Sequence, residues 1–107
     1  MTTISRDQLL AYLREERYAV QTSVALHGDP QAAVVGVVVS DRFEIVFDTL
    51  TDARKAANMR AHPRVALVFG STSATAARTI QIEGVADEPA GAELEKLLEA
   101  YFTAFPD

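Results

Sequence analysis

The stretch from residue 18 to residue 49 sets the tightest limit on the fold. Three runs rich in β-branched residues, "YAVQTSVAL", "QAAVVGVVV" and "FEIVFDT", are joined only by "HGDP" and "SDR". A parallel crossover needs about a dozen residues or more, so connections this short demand antiparallel neighbours in a meander. In the first run Val20, Thr22, Val24 and Leu26 alternate with Ala19, Gln21, Ser23 and Ala25, the period of a half-buried strand. The second run is apolar at almost every position and is expected to be covered on both faces.

Helices frame this meander. In "ISRDQLLAYLREER", Ser5 is a cap, Gln8 completes a capping box, and Ile4 is placed to staple onto Leu9. Leu9, Leu10 and Leu13 then form a stripe that would pack on a sheet. A short helix is expected from about Asp52 to Ala61, capped by Thr51 or Asp52 and ended by Pro63. "RVALVFG" and "RTIQIEGVADE" are the fourth and fifth strands, with Gly84 a candidate bulge, and "STSATAA" is the polar loop between them. The last helix carries Leu94, Leu97, Leu98, Tyr101, Phe102 and Phe105 at spacings of three and four. These elements predict a mainly β, α+β domain: a small antiparallel β-barrel flanked by N-terminal, middle and C-terminal helices. An open α+β sandwich is the alternative.

At 107 residues the chain is expected to form one domain spanning residues 1–107. It has no cysteine, so neither a disulfide framework nor a thiolate metal site is possible. No apolar run approaches the roughly 20 residues needed to span a bilayer. The start "MTTISRDQLL" lacks the features of a signal peptide, and a soluble cytoplasmic protein is expected. The formal charge of −5 argues against nonspecific nucleic-acid binding. Its distribution is uneven. From Arg54 to Ile82 there are five cationic residues and no carboxylate, whereas Glu83 to Asp107 holds seven carboxylates against Lys96 alone. A basic segment inside an acidic chain suits a local anion site.

Familiar catalytic signatures are missing: the five glycines are scattered, and no phosphate loop ends in Gly-Lys-Ser. His27 and His62 stand alone, without a neighbouring Cys or Glu at ligand spacing, so no metal site is expected. No catalytic acid, base or nucleophile can be named, which leaves any chemistry to a bound cofactor. One cluster remains. A strand ends at Thr49 and a helix soon begins with Arg54 and Lys55, at the end of the helix dipole where cations are disfavoured. Helix-start N–H groups, a hydroxyl and two cations together would hold a phosphate, Arg gripping two oxygens and Lys acting as a point charge. The same residues read equally well as a solvated pair offset by Asp52.

The run "GDPQAAVVGVVVSDRFEIVFDTLTDARKAANMRAHPRVALVFG", followed by "RTIQIEGVA", resembles the pyridoxamine 5′-phosphate oxidase-like family over about residues 18–88. The resemblance rests most on Phe47, Thr49, Arg54-Lys55-Ala56, Asn58, Pro63-Arg64-Val65, Arg78 and Gly84. It implies an FMN-binding split β-barrel acting as a flavin-dependent oxidoreductase on an unknown small-molecule substrate. It also implies a homodimer with the flavin in the crevices between protomers. Carried over by position, Arg54 and Lys55 would meet the FMN phosphate, with Thr49, Asn58, Arg78 and Thr79 around the flavin. The chain departs from the family in several places. Ala53 replaces a usual Ser, Thr79 a usual Gln, and Ala33 and Val38 stand where the oxidases carry Arg and Lys. Members generally continue beyond the last helix, so a short or truncated member is implied. These departures imply the alternative of a non-catalytic split-barrel binding module that has lost FMN and takes another phosphate ligand, a deazaflavin or haem.

Overall fold

The computed structural model describes residues 3–49, 52–70 and 78–106. Helix α1 (Arg6–Glu15) is followed by strands β1 (Tyr18–Val24), β2 (Pro30–Gly36), β3 (Val38–Val39) and β4 (Ile45–Val46). Helix α2 (Arg54–Ala61), strands β5 (Arg64–Gly70) and β6 (Thr79–Val85), and helix α3 (Gly91–Ala104) complete the chain. The four long strands form an antiparallel sheet in the order β2-β1-β5-β6, and β3 pairs with β4 in a separate two-stranded sheet. This is the expected meander, split into two sheets where the second apolar run bends between Gly36 and Val38.

The "HGDP" turn closes through Gly28 N–H donating to the Ala25 carbonyl at 2.8 Å and Ala25 N–H to that of Asp29 at 2.9 Å. In the second turn Ser40 N–H donates to the Glu44 carbonyl at 2.9 Å. Its hydroxyl also accepts from the backbone N–H of Arg42 and Glu44. Helix α1 begins with the expected capping box: Ser5 Oγ accepts from Gln8 N–H at 3.1 Å, and Ser5 N–H donates to Gln8 Oε1 at 2.7 Å. Leu13 on α1 and Phe69 on β5 are fully buried large apolar side chains at the centre, with Val35, Val37, Val39 and Leu67 around them. Tyr12, also buried, ties α1 to the start of β6. Its hydroxyl donates to the Arg78 carbonyl at 2.7 Å, and the Arg78 guanidinium lies 4.9 Å from the centre of its ring.

Alternation alone leaves open which face of β1 is buried, and three further local expectations need correction. On β1 the small and polar set faces inward: Ala19, Gln21 and Ser23 are buried, while Val20 and Val24 are exposed. Helix α2 packs across this strand, bringing Ala56 and Asn58 against it, and short side chains make that approach possible. β2 is not covered on both faces, since Val34 is 69% exposed and burial begins only at Val35. Gly84 makes no bulge, because the β5–β6 register runs without a slip from Arg64↔Val85 to Gly70↔Thr79. Helix α2 is capped by Ala53, which offers no side-chain bond, and Asp52 lies outside the helix. Thr51, the other expected cap, and the "STSATAA" loop lie outside the described residues.

Candidate functional site

The start of α2 opens onto a cavity of about 480 Å³. Gln21 and Ser23 of β1, and Gln31, Ala32 and Ala33 of β2, form one side. Ala53, Arg54 and Lys55 form the other. The site exists because β1 turns its polar residues inward beneath α2. Gln21 is 1% exposed, Ser23 4% and Asn58 4%. Asn58 Nδ2 donates to Gln31 Oε1 at 2.6 Å and to Ser23 Oγ at 3.2 Å, so a helix residue fixes two lining side chains on neighbouring strands. Gln21 Nε2 donates to the Thr22 carbonyl, which orients its amide.

Electrostatics favour an anion here. Ala53 has no side-chain acceptor for the first N–H groups of α2, and no acidic residue lies in the first turn. The positive end of the helix dipole therefore meets two cationic side chains across a floor of neutral amides and a hydroxyl. Ala33, where the resembling oxidases carry Arg, lines the cavity and leaves space rather than charge.

The six residues expected around a flavin separate in this chain. Arg54 and Lys55 line the cavity, and Asn58 lies behind it as the support of Ser23 and Gln31. Thr49 instead lines a larger groove that shares no lining residue with the cavity, and its hydroxyl is buried there without a partner among the described residues. Arg78 and Thr79 line neither space and sit exposed at the beginning of β6. Gln21, Ser23 and Gln31 were not singled out from the sequence. The signal available was the alternation of β1, in which polar residues at every second position are explained by a polar interior as well as by solvent.

The larger groove, about 810 Å³, lies between β4 and β6 and beneath α3. Burial, and behind it the nearby Asp48 carboxylate, push the Tyr101 phenol in this groove above its ordinary value. On the rim Arg60 grips Glu88 with two bonds of 2.6 and 3.0 Å, holding the carboxyl below its usual range. His27 and His62 are exposed, and no group of three metal-ligating side chains occurs among the described residues.

The pyridoxamine 5′-phosphate oxidase family model matches residues 5–105. The chain belongs to that family. Among solved structures, a conserved hypothetical protein, Rv2991, from Mycobacterium tuberculosis superposes with a TM-score of 0.83 at 22% identity. The match covers 96% of this chain and 65% of that one. A haem-binding protein from Mycobacterium smegmatis gives a TM-score of 0.79 at 20% identity, covering 97% of this chain and 45% of that one. A putative pyridoxamine 5′-phosphate oxidase from Listeria innocua gives 0.78 at 22% identity, covering 94% and 79%. The family member described here thus spans less than two thirds of the first two structures it matches. These likenesses establish the split-barrel fold. A search of curated protein sequences finds no match. Among the described residues, no helix is long and apolar enough to cross a membrane.

Proposed function

We propose that the protein binds FMN as a homodimer and acts as a flavin-dependent oxidoreductase on a small-molecule substrate. One observation carries the reading. An uncapped helix start presents Arg54 and Lys55 to a cavity whose opposite wall is built from buried, hydrogen-bonded polar side chains. Such a site suits a phosphate monoester, with charge-assisted bonds from both cations and backbone N–H groups aimed at the same oxygens. A bound flavin would supply the electron transfer, and this chain would supply the grip on its phosphate. Asn58 serves as the positioning residue for Ser23 and Gln31. Thr49, Arg78 and Thr79 belong to the flavin site only if a second protomer brings its own residues near them, which is what the dimer provides.

The outer face of the long sheet suits that dimer. Val20 and Val34 pair across β1 and β2 and are both exposed, and Thr22 pairs with Ala32 beside them. A row of small and β-branched side chains is a surface that a second sheet can cover. The alternative, a binding module without flavin, draws on Ala33 and Val38 in place of two cations and on the haem-binding structural relative.

Fluorescence titration of FMN tests the reading. Saturable quenching is expected, and the double substitution Arg54→Ala, Lys55→Ala should weaken it by about a hundredfold. That figure corresponds to roughly 3 kcal/mol for the lost charged hydrogen bonds. Equal affinity of the two proteins for FMN would remove the phosphate from this cavity. Absence of flavin binding alongside haem uptake followed by absorbance would favour the alternative.

A further inference from the structure

The grip on a phosphate leaves one buried group of the cavity unused. Gln21 lines the space at the start of α2 and is 1% exposed. Its Oε1 is buried with no hydrogen-bond partner among the described residues. A buried acceptor without a donor is costly, and native interiors rarely keep one without a reason. The amide cannot escape by turning over. Its Nε2 donates to the Thr22 carbonyl, and a flipped amide would set two carbonyl oxygens against each other. Position 21 therefore presents an acceptor held in one orientation.

The groups around it have the opposite character. Pairing of β1 with β2 sets Gln21 opposite Ala33 and Ser23 opposite Gln31, so all four share one face of the sheet. Asn58 donates to both Ser23 Oγ and Gln31 Oε1, which leaves the Ser23 hydroxyl hydrogen to be given elsewhere. Arg54, Lys55 and the uncapped N–H groups of α2 are donors as well. Ala33, across from Gln21, ends at a methyl group and keeps the space beside the amide open. The oxygens of an ionised phosphate only accept. They suit Ser23, Arg54 and Lys55, and they are repelled by Gln21 Oε1. The cavity of about 480 Å³ also exceeds what a phosphate alone would fill.

We infer that Gln21 reads the part of the ligand next to its phosphate, and that the cavity takes a polyol phosphate. The ligand carries a hydroxyl on the carbon beyond the ester carbon, and that hydroxyl donates to Gln21 Oε1. This rests on the phosphate reading above and narrows it, since FMN, whose phosphate ends a polyol chain, belongs to the class. A phosphate on a chain without a hydroxyl leaves the acceptor orphaned and is discriminated against for that reason.

The test titrates two probes into the ¹⁵N-labelled full chain. α-Glycerol phosphate and propyl phosphate have the same chain length and charge, and only the first carries hydroxyls. Saturable shifts are expected at the Arg54 and Lys55 amides. The glycerol phosphate should bind about tenfold more tightly, the order of one hydrogen bond that also satisfies an orphaned acceptor. Gln21→Met keeps the length of the buried side chain, removes its acceptor, and should bind both probes alike. Equal binding of the two probes by the unsubstituted protein overturns the inference, and so does a preference that survives in Gln21→Met. If that equal binding is abolished by Arg54→Ala, Lys55→Ala, selection by Gln21 falls while the phosphate site stands. Absence of shifts at Arg54 and Lys55 with either probe overturns both.

Discussion

Asn58 makes two hydrogen bonds from a position that is 4% exposed, and both go to side chains lining the cavity. Removing it would leave Ser23 Oγ and Gln31 Oε1 short of a donor inside the protein, a penalty of about 1–3 kcal/mol for such groups. Asn58→Ala is therefore expected to lower stability by about that amount in urea denaturation and also to weaken FMN binding, by loosening the wall opposite Arg54. Gly36 makes a different demand. A Cβ there would stand 2.8 Å from the Phe105 ring. That ring cannot swing away freely, since it stacks on Tyr101 at 5.0 Å and lies 4.6 Å from the Arg17 guanidinium. Gly36→Ala should cost about 1–3 kcal/mol as an overpacking change, read from the same denaturation curves. Neither requirement was legible in the sequence. Asn58 was tied to the flavin by resemblance, and its actual partners lie 35 and 27 residues away.

Helices α1 and α2 begin in opposite ways. Helix α1 has a complete capping box, and four residues of sequence, Ser5 to Gln8, were enough to read it. Helix α2 starts at Ala53 with no side-chain cap and with Arg54 and Lys55 in its first turn, so its start is left unsatisfied by its own sequence. An element-level test follows from that contrast. Ala53→Asp supplies a cap and a charge suited to the dipole, and is expected to stabilise the protein by about 0.5–2 kcal/mol. The same carboxylate would occupy the position proposed for the phosphate, so FMN affinity should fall while the melting temperature rises. A neutral or improved affinity would mean that the helix start is not part of the binding site. Helix α3 forms where the spacing of three and four places it. Its apolar stripe is only partly covered within the single chain, with Leu97, Tyr101 and Phe105 half-buried and Leu94 and Leu98 exposed.

For the whole molecule, the long sheet presents Val20 and Val34 outward and the groove presents Leu94 and Leu98, so two separate surfaces remain uncovered in one chain. If the sheet face is the dimer interface, Val34→Asp should convert dimer to monomer in light scattering, with the folded far-UV spectrum retained because Val34 is 69% exposed. The pH response belongs to this scale too. The Tyr101 phenol, raised by burial and then by Asp48, keeps its proton to higher pH in the folded chain than in the unfolded one. Its contribution is fully present below the unfolded value of about 10 and is lost as pH rises through the folded value. Denaturation midpoints should therefore fall above about pH 10, and Tyr101→Phe should flatten that fall.

Much of the fold is local and could be read directly. Short turns required antiparallel strands, the capping box marked α1, Pro63 ended α2, and the cationic pair lay at the start of that helix. Each depends on residues close together in the chain, where sterics and backbone bonding act without help from the rest of the fold. The face that β1 buries was decided by α2 packing across it, since alternation fixes two faces but not which one meets a helix. The same docking turned Gln21 and Ser23 into cavity walls and set Thr49 apart from Arg54. Sequence alone supplied the charges of the proposed anion site; only tertiary packing gave them a wall to face.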